Sequence, residues 1–290
     1  MIIVIIGPTG VGKTKLSIEL AKRYNAEIIN ADSMQVYRGL DIATAKIKET
    51  EKENIPHHLF DISDVDDIYT VYDYQKDCRA KINEILNKNK NVIIVGGTGL
   101  YIKAALYDYQ FKTEYDLNDY ANLTNEEIFD KIKKYDNCCD IHINNRKRLV
   151  RLLNKYENNL MTEKNGNSPL YDFILIGLTT DRKTLYEKIN SRVDIMVEEG
   201  LIEEAKSLYD KHIYTKAIQT AIGYKELYPY FDNKYSLEDS LELIKKNSRH
   251  YAKRQYTFFN NQFDNINWIE TNYDDFSKTI SQAITVIDNK

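Results

Sequence analysis

Eight consecutive residues, Gly7-Pro8-Thr9-Gly10-Val11-Gly12-Lys13-Thr14, carry the spacing GxxxxGK[ST]. The chemistry this spacing suits is the holding of phosphate oxygens. Glycines let backbone N–H groups turn inward around an anion, and the N-terminus of a following helix adds partial positive charge. Lys13 supplies a full charge, and the Thr14 hydroxyl can hold Mg²⁺. The competing reading is an ordinary tight turn. The context argues against it, because an apolar run at residues 1–6 leads in and Leu16, Leu20 and Tyr24 recur at helical spacing afterwards.

The motif speaks for phosphate rather than for hydrolysis. Phosphoryl-transfer enzymes with this loop usually carry an Asp at the end of a second strand to help hold the metal. Here the apolar run 91–95 ends in Gly96-Gly97-Thr98-Gly99, and the run 173–177 continues into Leu178 and Thr179. The one candidate strand-end carboxylate is Asp32, after the run 27–31. The loop is therefore suited to a diphosphate that leaves. In doubly wound sheets ligands bind beyond the carboxyl ends of the strands, so the glycine loop, Asp32 and Thr98 should converge. An Asp at that place can hold Mg²⁺ or accept a proton. Equally, it can serve as the N-cap of the next helix, and spacing does not decide between these.

Stepping outward, the segments that must position these groups alternate between strand and helix. Residues 69–87 place Val71, Cys78, Ile82, Ile85 and Leu86 at helical spacing. Alternating strands and helices predict an α/β fold: a P-loop NTPase-like, doubly wound, mostly parallel sheet. Residues 111–144 are polar, rich in Asn and Asp and without a strand run, which predicts a small helical insertion domain. The core is then residues 1–110 and 145–290, with a loop at residues 166–169 and a helical C-terminal region from residue 184.

Composition bounds the remaining classes. The chain of 290 residues is 42% hydrophobic, enough for a sizeable core. Its net charge of −4 gives no bulk sign of a nucleic-acid partner. Cys78, Cys138 and Cys139 form no CxxC pair and no disulfide framework, which suits a reducing cytoplasm. No stretch reaches the roughly 20 apolar residues that span a membrane, so no membrane association is expected. Locally the charge is uneven. Arg146, Lys147, Arg148, Arg151 and Lys155 lie in a stretch without acids. Lys245, Arg249 and Lys253 recur every four residues, with Lys246, His250 and Arg254 beside them. Such stripes suit a phosphate backbone. They equally suit a solvated face balanced by Glu238, Asp239 and Glu242 just upstream. The pair His57-His58 lacks partners at metal-ligand spacing and reads as a packed turn.

Six motifs in order, GPTGVGKT, ADSMQVYRGLDIATAK, PHHLFDI, GGTGLYIKA, AIGYKE and SRHYAKRQ, resemble the tRNA dimethylallyltransferase (tRNA isopentenyltransferase) family over nearly the whole chain. The resemblance implies transfer of a dimethylallyl group from dimethylallyl diphosphate. The acceptor it implies is the exocyclic amine of the adenosine 3′ of the anticodon, with Mg²⁺ as cofactor and diphosphate released. It assigns the glycine loop, Thr9 to Thr14 above all, to the donor diphosphate and makes Asp32 the general base. Ser33, Met34 and Gln35 would join Asp32 at the target nucleotide and its neighbours. Thr98 would position the acceptor, and Arg192 would stabilise diphosphate charge. Arg148 and Arg151, within residues 144–151, would meet the anticodon stem-loop, and the Lys245, Arg249 and Lys253 stripe becomes an RNA contact. The assembly expected is a monomer. The chain departs from the family pattern at Ala43, where Gly is usual. It departs again at Asn145-Arg146-Lys147-Arg148 and Arg151-Leu152-Leu153-Asn154, mainly in the RNA-facing stretch. Two alternatives share the loop: an isopentenyltransferase acting on free AMP or ATP, and a small-molecule kinase. The basic stretches speak against the first, and the Gly96–Gly99 loop in place of a strand-end Asp speaks against the second.

Overall fold

The computed structural model describes residues 1–111, 118–158 and 167–290. Strand β1 (Ile2–Ile6) leads through the glycine loop into α1 (Lys13–Tyr24). Strand β2 (Ala26–Asn30) opens a long connection holding a 3-10 turn at Glu49–Glu51 and the two-residue strand β3 (His57–His58). Then come α2 (Val71–Asn87), β4 (Asn91–Val95) and α3 (Gly99–Leu106). After α4 (Asn125–Lys133) and α5 (Arg146–Glu157), the chain returns with β5 (Ile174–Thr179) and α6 (Arg182–Glu198). It continues through α7 (Leu201–Asp210), the short α8 (Lys216–Thr220) and α9 (Tyr228–Phe231), and the long α10 (Leu237–Gln262). Strand β6 (Asn267–Glu270) and α11 (Phe276–Asp288) follow.

The described strands form one sheet in the order β3-β2-β4-β1-β5-β6, every pair parallel. Strand β1 lies between β4 and β5 and is covered on both faces, which is why it is apolar at every position rather than alternating. Ile2, Val4 and Ile6 enter one core with α2, α3 and α7. Ile3 and Ile5 enter the other with α1 and α11. The order reverses beside β1, because β2 lies beyond β4 while β5 adds on the opposite side. The loops leaving β1, β2 and β4 therefore open into the crevice where such sheets bind ligands. Helix α2 starts at a capping box, with Thr70 and Asp73 each satisfying the other's backbone N–H.

Two edge elements differ from the sequence expectation. His57-His58 is an edge strand and not a turn: its residues pair with Ile28 and Ile29 of β2. His58 Nε2 lies 2.7 Å from Glu27 Oε2. The C-terminal region is not wholly helical, since β6 pairs with β5. Both strands are too short to show a period.

The chain divides into two compact units, residues 1–107 with 169–290, and Asp108–Ser168. The second is longer than the expected insert of 111–144 because α5 joins α4. Leu149 and Leu153 of α5 bury fully with Ile128 and Ile132 of α4. Arg146, one of the expected basic residues, braces this unit from within by donating to the Leu123 and Tyr120 carbonyls. Residues 112–117 of the expected insert, and Gly166 of the expected loop, lie outside the described residues.

Candidate active site

The glycine loop has the form its sequence requires. Gly12 adopts φ 88°, a left-handed conformation costly for other residues, and a Cβ there would lie 2.7 Å from the Phe276 ring. The loop is braced by the segment after β6. Thr271 Oγ1 donates to the Val11 carbonyl at 2.9 Å, and the Tyr273 hydroxyl donates to the Gly10 carbonyl at 3.2 Å. Lys13 folds back to donate from Nζ to the Pro8 carbonyl at 2.7 Å. Gly7, Pro8 and Val11 are buried structural members, whereas Thr9, Gly10, Gly12, Lys13 and Thr14 line a cavity of about 970 Å³.

Asp32, Ser33, Met34 and Gln35 line the same cavity, as does Arg192 from α6. Asp32 Oδ1 accepts the Met34 N–H at 2.9 Å, and the Asn30 side chain fixes the Asp32 backbone from below. Thr98, at the start of α3, accepts the Ser33 N–H at 3.0 Å and donates to Ser33 Oγ at 3.2 Å. The loop after β4 and the loop after β2 are thus tied together. Arg192 Nη1 donates to Thr9 Oγ1 at 2.8 Å.

The electrostatics follow from enclosure. Burial raises the Asp32 carboxyl above its ordinary value, while the Met34 N–H, Lys13 and Arg192 pull it back. Burial lowers Lys13 to about 7, helped by repulsion from Arg192 and opposed by Asp32. Burial also lowers Arg192, with Asp32 opposing. Lys13, Arg192 and Asp32 face a common space, and an anionic ligand entering it favours the charged forms of both basic groups.

One measurable consequence concerns protons. Above pH 7 burial holds Lys13 largely neutral, and an incoming diphosphate favours its charged form, so binding should take up a proton. At pH 8, inorganic diphosphate binding to the native chain should absorb up to about one proton more than binding to Lys13→Met. At pH 6, where Lys13 is already charged, the difference should vanish. Titration calorimetry in two buffers of different ionisation enthalpy reads this directly.

The other expected contacts divide. Lys245 pairs with Asp194 at 2.9 Å and Glu242 at 3.3 Å, and Arg249 Nη1 donates to Asn190 Oδ1 at 2.6 Å, so both are drawn toward α6. Lys253 is exposed, as are Lys246, His250 and Arg254 on the adjoining stripe. In the second unit, Arg148 and Arg151 are exposed on α5.

Sequence reasoning missed two groups. Gln255 on α10 is buried between the two glycine loops, accepting the Thr9 N–H at 3.1 Å and donating to the Gly97 carbonyl at 3.0 Å. Glu204 on α7 gathers the N–H groups of Asp41 and Ile42 at 3.0–3.1 Å and the Tyr224 hydroxyl at 2.5 Å. That grip holds the stretch whose Thr44 and Ala45 carbonyls accept the Gln35 amide. Tyr224 lies in the AIGYKE motif, which was the available signal for Glu204.

The chain's likeness to known proteins is extensive. A family model described as IPP transferase matches residues 35–262. The tRNA dimethylallyltransferase of Anoxybacillus flavithermus is 45% identical, with 100% of this chain and 96% of that protein covered. The tRNA dimethylallyltransferase of Bacillus subtilis is 46% identical, over 93% of this chain and 90% of its own. Among solved structures, the full-length tRNA isopentenylpyrophosphate transferase of Bacillus halodurans matches with a TM-score of 0.79 at 41% identity, covering 99% of this chain and 95% of that one. A eukaryotic dimethylallyltransferase acting on tRNA matches at 0.83 and 29% identity, over 100% and 80%.

Proposed function

The chain belongs to the IPP transferase family, and on that premise we propose that its cavity joins dimethylallyl diphosphate, gripped by residues 9–14, to the exocyclic amine of an adenosine presented to Asp32. The protein is a prenyltransferase that transfers a dimethylallyl group to the adenosine 3′ of the anticodon in tRNA. The observation that carries the finer reading is one cavity lined by the phosphate loop, Arg192 and Asp32 together.

An exocyclic adenine amine is a poor nucleophile because its lone pair is delocalised into the ring. Two kinds of assistance meet this. The loop amides, Lys13 and Arg192 stabilise charge as it develops on the departing diphosphate. Asp32 accepts the amine proton, and its raised pKa makes it a better base than an ordinary carboxylate. Thr98 orients the amine toward the allylic carbon, helped by its ties to Ser33. The target base leaves its stack to enter the cavity, as base-modifying enzymes require. Enclosure also keeps water from the allylic carbon.

Mg²⁺ is the cofactor of this reading. Among the described residues no three His, Cys, Asp or Glu side chains gather as a metal cage. The Thr14 hydroxyl, exposed at the cavity, would be the protein's ligand to a hard cation there. When bound, Mg²⁺ neutralises charge on the leaving group. For the RNA, the exposed Arg148 and Lys253 supply phosphate contacts, and Arg151, Lys245 and Arg249 join them by exchanging their present partners. No helix among the described residues is long and apolar enough to cross a membrane, and we take the enzyme to work as a cytoplasmic monomer.

The test uses two labels and two acceptors. Prenyl-labelled dimethylallyl diphosphate and γ-labelled ATP are each incubated with unmodified tRNA or with AMP. Prenyl label should pass to tRNA alone. Prenyl label on AMP would assign the free nucleotide as acceptor, and phosphoryl label on either acceptor would make the protein a kinase.

A further inference from the structure

We propose that Gln255 is a positioning residue that sets the distance between the leaving diphosphate and the attacking amine; this rests on the reaction assigned above. Its side chain is 4% exposed and sits where α10 crosses the ends of β1 and β4. Oε1 accepts from the Thr9 N–H and Nε2 donates to the Gly97 carbonyl. Thr9 is the residue whose hydroxyl Arg192 holds. Gly97 immediately precedes Thr98, which is tied to Ser33 beside Asp32. One amide therefore spans the donor loop and the acceptor loop.

The fit is selective. A Cβ on Gly97 would stand 2.0 Å from Gln255 Nε2, so the loop closes directly on the amide. The Thr9 N–H demands an acceptor and the Gly97 carbonyl demands a donor. Among uncharged side chains of this length only an amide supplies both, and the one other group that does is a protonated carboxyl. A residue there for packing alone would be apolar, since a buried amide gains nothing over Leu or Met unless both bonds are used. Gln255 borders the cavity, but its Oε1 and Nε2 are already given to Thr9 and Gly97. It acts through Thr9 and Thr98, and displacing a reactive pair by about 1 Å costs on the order of 10²-fold in rate.

The test compares Gln255→Met and Gln255→Glu with the native full-length chain, in single turnovers at saturating dimethylallyl diphosphate and tRNA. The Met variant should lose about 10²-fold in rate at every pH, with the donor KM little changed. The Glu variant should approach native rates at acid pH, where its carboxyl donates to Gly97, and fall away as the carboxyl ionises. In a Thr98→Ala background the Met substitution should cost much less, because both act on one loop. A variant-to-native rate ratio for Gln255→Glu that stays flat with pH overturns the proposal. So does a loss confined to donor KM, or one that follows only the fall in Tm. Failure of the native chain to prenylate tRNA would instead sink the assigned reaction.

Discussion

Asp32→Asn should lower the single-turnover rate of prenyl transfer by roughly 10³-fold and leave donor affinity unchanged or slightly tighter. The substitution is close to isosteric. An amide oxygen can still accept the Met34 N–H that Asp32 Oδ1 accepts now, so the loop after β2 keeps its shape. What disappears is the acceptor for the amine proton. Donor affinity should not suffer, because Asp32 is an anion set against Lys13 and Arg192, and removing it leaves the cradle more positive. Rapid-quench transfer assays and calorimetric titration with dimethylallyl diphosphate separate the two quantities. Equal losses in rate and donor affinity would reassign Asp32 as a metal ligand.

Arg192→Gln should reduce transfer by about 10²–10³-fold, the usual cost of losing one preorganised partner for charge that develops in the transition state. Donor binding should weaken far less, since the loop amides and Lys13 remain. A second effect identifies the residue specifically. Arg192 repels Lys13, so its removal should raise the Lys13 pKa and shrink the proton uptake expected on diphosphate binding at pH 8. Arg192→Lys should recover part of the rate but not all, because an ammonium cannot reproduce the planar fork that reaches Thr9 Oγ1 while facing the cavity. An unchanged rate in Arg192→Gln would remove the guanidinium from the reaction.

Much of this site could be read from sequence because its parts lie on local signals. A buried strand, a glycine loop and a helix start are adjacent in the chain; Asp32 follows an apolar run directly, and Thr98 follows one after two glycines. Gln255 ends the SRHYAKRQ motif, but nothing local shows what its side chain does. It lies on a helix whose visible pattern is basic residues at intervals of four, and its function depends on two loops about 160 and 250 residues earlier. Glu204 escaped for the same reason, its partners being backbone N–H groups some 160 positions away. The short strands β3 and β6 offered too few residues for any period. The reach of the second unit is not legible because the basic residues of α5 surround the two positions, Leu149 and Leu153, that pack on α4. Charge spacing likewise revealed the stripe on α10 but not that Asp194 and Asn190 of α6 already engage two of its members.

The bracing of the glycine loop by Thr271, Tyr273 and Phe276 bears on how the protein is made. A ribosome delivers Gly10, Val11 and Gly12 about 260 residues before their brace. Until that stretch clears the exit tunnel the anion pocket lacks its outer wall. Nascent chains should therefore acquire affinity for diphosphate abruptly, once the brace has docked on the loop.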